Sequence, residues 1–359
     1  MKAKSIILST LLAISIAAHA GNDERIGQAG SSQLLVNPWA RSAGWGGAGS
    51  AMLSGVEAFN WNIAGLSAIN STEFYYSNIM LFTGSDMSIN SVGLAQRVGE
   101  SAVFGLSVNA MQFGENVVTT TSNPDGGLGT FNPQYLNLAL AYSRFFSNAI
   151  QGGGSIRIVS ESIQDVRATG VALDAGIRYI TGKYDRVKFG IALRNVGPKM
   201  QYSGDGLSQT VTLQGAEFTV NQRSAGFETP ALLNIGASYD IYVLPKSDEE
   251  LGDDEKPSDY RLTIASTFTS NSFSPDQLRT GLEFAFKQYI AIRAGLVYEN
   301  NIFSTLDGGR LTANTGPVMG MSLMLPFKGS DESGLSLDYA YRFSNPLGGT
   351  HSLGLRLSI

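Results

Sequence analysis

Residues 335–343 and 351–359 alternate strictly between apolar and polar side chains, a pattern that restricts the fold more than any other feature of the chain. Leu335, Leu337, Tyr339, Tyr341 and Phe343 are separated by Ser336, Asp338, Ala340 and Arg342. After a polar turn, Leu353, Leu355, Leu357 and Ile359 are separated by Ser352, Gly354, Arg356 and Ser358. Successive side chains of a strand point to opposite faces, so each segment is a strand with one apolar and one polar face. A soluble sandwich strand can alternate too. Here, however, segments of roughly ten residues recur almost to the last residue, the length that a tilted transmembrane strand needs. Hydrocarbon offers backbone N–H and C=O groups no partners, so such strands have to close into a barrel.

Segments of the same kind, bounded by Gly, Pro, Asn, Asp or Ser, fall at 72–81, 88–98, 102–113, 134–146, 150–162, 167–180, 185–196, 230–243, 259–269, 278–288, 289–300, 317–327, 333–343 and 351–359. The fold expected is all-β, a transmembrane antiparallel β-barrel of about fourteen strands. The long connections, 114–133, 197–229 and 301–316, all follow odd-numbered segments and so share one end of the barrel, as external loops do. The others are mostly tight, as at Gly99–Ser101, Ser147–Ala149 and Thr181–Tyr184. One exception is the acidic run Ser247–Glu255 on the periplasmic side. Its spacing is not that of an EF-hand loop, which favours a solvated acidic turn over a Ca²⁺ site.

The first twenty residues are expected to be a secretory signal peptide. Lys2 and Lys4 precede an apolar run from Ile6 to Ala18 that is too short to span a bilayer, and Ala18-His19-Ala20 has the A-x-A form of a cleavage site. The mature chain then begins at Gly21. With no cysteine, thiol-based lipid attachment, disulfides, Cys-ligated metals and thiol catalysis are excluded. Loss of Lys2 and Lys4 leaves 23 basic against 30 acidic residues, a net charge of about −7 that disfavours nucleic acid. The mature chain keeps one histidine, His351, and shows no recognisable nucleophile motif, so neither an enzyme nor a cofactor is expected. Its place at the external start of the last strand suggests rim packing.

Strand parity aims Arg157, Glu161, Asp174, Arg178, Lys188, Arg194, Glu283, Arg293, Asp338, Arg342 and Arg356 into the lumen. A charge costs about 2–4 kcal/mol on the lipid face at the bilayer midplane, which fixes this orientation. The simplest role for these groups is an interior ion-pair lattice; a solute-selective channel lining is the alternative.

Residues 21–68 do not alternate. They contain Asn37-Pro38-Trp39-Ala40-Arg41-Ser42-Ala43-Gly44-Trp45-Gly46-Gly47-Ala48-Gly49 and Asn60-Trp61-Asn62-Ile63-Ala64-Gly65-Leu66. So many glycines permit close backbone approach, and Trp39, Trp45, Phe59 and Trp61 are too apolar for a free tail. Short helices and turns folded into the barrel would explain both. A phosphate-cradling loop is disfavoured, since neither a preceding strand nor a following Lys-Ser/Thr accompanies the glycines. The expected organisation is a signal peptide at 1–20, a plug-like or hatch segment at 21–68 and the barrel at 69–359.

The segment Ala40–Gly49, together with Trp61-Asn62-Ile63-Ala64-Gly65-Leu66, resembles the A-R-S-A-G-M-G-G-A-G and W-N-P-A-G-L signature of the PorV/PorQ family of outer-membrane proteins, a branch of the FadL-like barrels. Trp45 replaces the usual Met and Ile63 the usual Pro. Leu193-Arg194-Asn195-Val196-Gly197-Pro198 and Ile292-Arg293-Ala294-Gly295-Leu296 are similar to further family segments. The resemblance implies a fourteen-stranded outer-membrane barrel whose N-terminal segment carries Arg41, Gly44, Gly47, Asn60, Trp61, Asn62 and Gly65 as its motif. It also implies a non-catalytic place in the type IX secretion system. There the barrel would bind the C-terminal domain of a secreted protein or a gliding adhesin at the cell surface, or join the translocon or attachment complex.

Two functions then compete. In the first, the external loops hold such a partner, with Phe131, Ile302, Phe303 and Leu311 as apolar anchors in a polar rim. In the second, the barrel is a FadL-like transporter of hydrophobic small molecules, which requires a contiguous apolar pocket. The charged or small inward positions favour the first.

Overall fold

The computed structural model describes residues 25–245, 257–287, 289–300, 302, 313–327, 333–344 and 347–359. The signal segment, the acidic run Ser247–Glu255, Phe303 and Leu311 lie outside these residues.

Fourteen strands form one antiparallel meander: β1 (Thr72–Leu81), β2 (Met87–Val98), β3 (Ala102–Gln112), β4 (Gln134–Phe145), β5 (Ile150–Ile163), β6 (Val166–Thr181), β7 (Val187–Val196), β8 (Leu232–Val243), β9 (Tyr260–Asn271), β10 (Gln277–Phe286), β11 (Ile290–Glu299), β12 (Gly316–Pro326), β13 (Gly334–Arg342) and β14 (Thr350–Ser358). Each expected segment is a strand whose ends fall within about two residues of those read from the alternation. β1 pairs with β14 from Glu73↔Ser358 to Met80↔His351, so the barrel is closed and has no free edge.

The lipid-side residues remain exposed: Phe104, Leu140, Ile156, Leu173, Ile191, Ile292 and Leu337, for example. The alternate positions are buried, and many of them are small, as with Ala95, Gly105, Ala141 and Ser155. Small inward side chains leave room for residues 25–70, which run along the lumen as short 3-10 turns and the helix Ala40–Ala43. Within this segment Trp39, Trp45, Val56, Ala64 and Leu66 are fully buried. Trp39 stacks on Tyr75 of β1, with ring centroids 5.2 Å apart.

The segment traverses the barrel from end to end. Arg25 pairs with Glu228 at 3.1 Å and lies over the ring of Phe273, both in connections that follow odd strands. At the other end Ser71 N–H donates to the terminal Ile359 carbonyl, and Arg97 at the end of β2 donates to the carbonyls of Ser67 and Asn70.

Candidate functional site

Four parts of the molecule carry functional chemistry: the lumen, the N-terminal segment that fills it, a dent in the wall and the external rim.

In the lumen, the structure buries Arg157, Asp174, Arg178, Arg194, Glu283 and Arg293, with Glu161, Asp338 and Arg342, while Lys188 and Arg356 are half-buried. Only some form ion pairs. Arg157 meets Asp174 at 2.9 Å, and Glu283 holds Arg293 at 2.6 Å and Arg261 at 2.8 Å. Elsewhere the arginines grip main chain of the N-terminal segment. Arg157 donates to Phe59 O, Arg178 to Leu53 O and Arg279 to Gly46 O, each at 3.0 Å. The lattice is therefore partly a clamp, in which charge-assisted bonds satisfy carbonyls that short 3-10 turns leave over. Arg279, absent from the residues singled out in the sequence, belongs to this clamp.

The motif residues of the segment meet the wall and one another. Arg41 lies 3.7 Å from the buried Glu57 carboxylate, whose other oxygen accepts from Ser42 N–H at 2.7 Å. Burial pushes the Glu57 carboxyl above its ordinary value. Asn60 accepts from Arg194 at 3.0 Å. Asn62 caps the turn Ile63–Ala68 by accepting from Ala64 N–H, and its amide reaches Ser50 O and Ile177 O. Gly65 N–H donates to Asn62 O. Gly44 packs on Gly320 of β12, where a Cβ would sit 2.9 Å from the opposing Cα. Gly47 has φ +80°, and a Cβ there would fall 1.9 Å from the Trp61 ring.

Where the turn Ile63–Ala68 and Phe59 press on the wall, the outer face is concave. Leu94, Phe104, Leu106, Leu140, Tyr142, Ile156, Leu173 and Leu193, all pointing outward, line a hollow of about 890 Å³ across β2–β7. Its cause lies on the opposite face. The inward row Ala95, Gly105, Ala141, Ser155 is paired strand to strand and carries no bulk, so the sheet sinks until Gly105 meets Phe59 and Leu66. The hollow ends at a β-bulge between β6 and β7. There the register shifts between Leu173 and Ala175, Asn195 takes φ +57°, and its N–H donates to Asp174 at 2.7 Å. By contrast, three cavities beside the N-terminal segment measure only about 10, 20 and 50 Å³.

At the external rim, Phe131 is half-buried in a two-residue ladder with Asn116. Ile302 is buried at 7% exposure, and its N–H bonds back to Glu299 O at the end of β11. Phe303 and Leu311 fall outside the described residues. The rim instead exposes a hairpin, Ser208–Leu213 with Ala216–Asn221, closed by Gln214 and Gly215, both at positive φ as a two-residue type I′ turn requires. Val211 lies opposite Phe218, and Val220 lies two residues on from Phe218 on the same face; all three are exposed. The alternation and the Gln-Gly turn were visible in the sequence but were concealed within a long loop. His351 faces outward and hydrogen-bonds Tyr339 at 2.9 Å, packing at the rim beside Tyr341.

No family model matches the chain, and no curated protein sequence matches it. Among solved structures it is similar to the CymD monoaromatic hydrocarbon channel, with a TM-score of 0.54 and 14% identity over 90% of this chain and 98% of that one. The Ralstonia pickettii toluene transporter TbuX matches with a TM-score of 0.52 and 13% identity over 89% of this chain and 98% of the transporter. The Pseudomonas putida toluene transporter TodX matches with a TM-score of 0.53 and 13% identity, over 89% and 96%. At such identities the likeness is one of fold: a closed antiparallel β-barrel of fourteen strands. These neighbours are channels and transporters.

Proposed function

We propose that this FadL-like barrel takes up a small apolar molecule from the outer leaflet, holding it in the wall hollow beside the β6–β7 bulge. The observation that carries this reading is the hollow itself: an apolar space of about 890 Å³ on a wall only one residue thick, backed by Phe59 and Leu66 of the N-terminal segment. The charged lumen argued against transport only while no contiguous apolar pocket was in view. The pocket lies on the outer face, where sequence parity showed only lipid contact. Hydrocarbon channels and toluene transporters of the same fold make monoaromatic hydrocarbons the first class to test. Passage inward would require Phe59 and Leu66 to yield.

Uptake of radiolabelled toluene should be measured in a host without hydrocarbon channels that carries wild-type barrel or Gly154→Trp. Gly154 lines the hollow, and a Cβ there would meet Asp174 O at 3.4 Å, ordinary contact. Wild type should exceed the empty host, and the filled hollow should lose about tenfold or more of that excess. Wild-type uptake equal to the empty host rejects transport.

A second reading is favoured by the exposed face of the 208–221 hairpin. In it the external rim holds the C-terminal domain of a type IX secreted protein, and the N-terminal segment acts as a permanent plug. Pull-down of such a domain should then fall about a hundredfold when Val211, Phe218 and Val220 are replaced together by Ser, with barrel levels unchanged. Equal recovery from both membranes would reject this surface.

A further inference from the structure

Two lumen arginines, Arg194 of β7 and Arg279 of β10, stand apart from the ion pairs. Arg194 and Arg279 place their guanidinium groups over the same indole, that of Trp61, at 6.0 and 5.0 Å from the ring centroid. Both are buried, at 3% and 9% exposure, and neither forms an ion pair with a described carboxylate. Arg194 gives one bond to Asn60; Arg279 gives one to Gly46 O and one to Gln277. Each retains a buried Nε–H without a protein acceptor, and so does the Trp61 indole N–H.

These three residues line one cavity of about 50 Å³ in the external half of the lumen, roofed by Leu35. The rest of its lining is mostly polar and neutral, with Asn234, Thr269 and Asn271 among it. Its volume exceeds the 10–15 Å³ or so that one water requires. The carboxylates whose charge bears on the pair are Asp174, which Arg157 also holds, and Glu299, against Arg157, Arg194, Arg279 and Arg342, so positive charge stays in excess. Water alone would satisfy the N–H groups but not that excess, which is expensive to bury. An anion supplies both an acceptor and the missing charge.

We propose that Arg194, Arg279 and Trp61 form a binding site for a small monovalent inorganic anion of the halide class. Seated there, the anion neutralises the arginine pair and ties β7 and β10 to the N-terminal segment through Trp61 and Leu35. It is a structural ligand of the filled lumen, independent of any solute passing at the wall.

The test uses the full barrel in detergent. Crystals of wild type grown in bromide should give an anomalous peak in the cavity between Arg194 and Arg279. The same barrel should unfold about 2 °C higher in sodium chloride than in sodium gluconate at equal ionic strength. Arg279→Gln should abolish that difference, whereas the exposed Lys199→Gln should keep it. Absence of a bromide peak in wild type overturns the proposal whether or not Arg279→Gln folds. So does a wild-type unfolding temperature that is the same in both salts.

Discussion

The Tyr75 hydroxyl donates to Asp338 Oδ2 at 2.9 Å and accepts from the backbone N–H of Arg41 at 3.0 Å, joining β1, β13 and the N-terminal segment through one oxygen. Asp338 also takes the Ser322 hydroxyl, which receives Arg293, which in turn holds Glu283. The closing strands and the lumen filling thus share one hydrogen-bonded chain.

Tyr75→Phe keeps the ring stacked on Trp39 and removes only that oxygen. It should destabilise the barrel by about 1–3 kcal/mol, since two buried partners lose their bonds. Urea titration of the folded barrel in detergent measures this, and a loss below 0.5 kcal/mol or so would show that water replaces the hydroxyl.

Glu283→Gln leaves Arg293 and Arg261 without their shared carboxylate and should cost about 3–5 kcal/mol. Glu283→Gln combined with Arg293→Met removes the more deeply buried of the two stranded charges and should recover most of that loss. A double variant no more stable than the single one would contradict the assignment of the cost to an unpaired guanidinium.

Glu57 gives a pH dependence of definite sign. Burial raises its folded carboxyl above the ordinary 4.5, so the folded state holds the proton more tightly than the unfolded chain. The contribution of Glu57 to stability is then greatest below 4.5 and falls as pH rises from there through the folded value. Glu57→Gln should flatten that decline, as read from urea midpoints between pH 4 and 8 or so. An identical slope in the variant would assign the dependence to another group.

Deleting 21–68 should open the lumen. Single-channel conductance in planar bilayers, near zero for wild type, should rise to that of an open pore of comparable strand number. Gly47→Val, which drives a branched side chain into the Trp61 ring at φ +80°, should give intermittent openings. Silence from both would mean that the wall itself closes the channel.

The barrel was legible because alternation is a local signal: Phe104, Leu106 and Val108 against Gly105, Ser107 and Asn109 state the two faces of β3 without reference to any other strand. The hollow was not. It depends on Gly105, Ala141 and Ser155 meeting across three strands and on Phe59 and Leu66 arriving behind them, none of which has a sequence period. The lumen was read as charged from strand parity alone. Yet which arginines pair and which grip carbonyls depends on a segment with no repeat. A loop composition likewise shows which residues suit a rim, not which of them a turn buries, as it does Ile302 after Glu299.

A chain threaded along its own closed barrel also prescribes an order of events. Residues 25–70 enter β1 at one end and anchor Arg25 at the other. Once β1 and β14 have zipped, the N-terminal end would have to thread the whole bore, carrying Trp39 and Trp45 past its inward side chains. Laying the segment against an open sheet avoids that passage, with the final hairpin shutting over it. Such a route wraps a wall around a core, with the C-terminal strand as the last stitch.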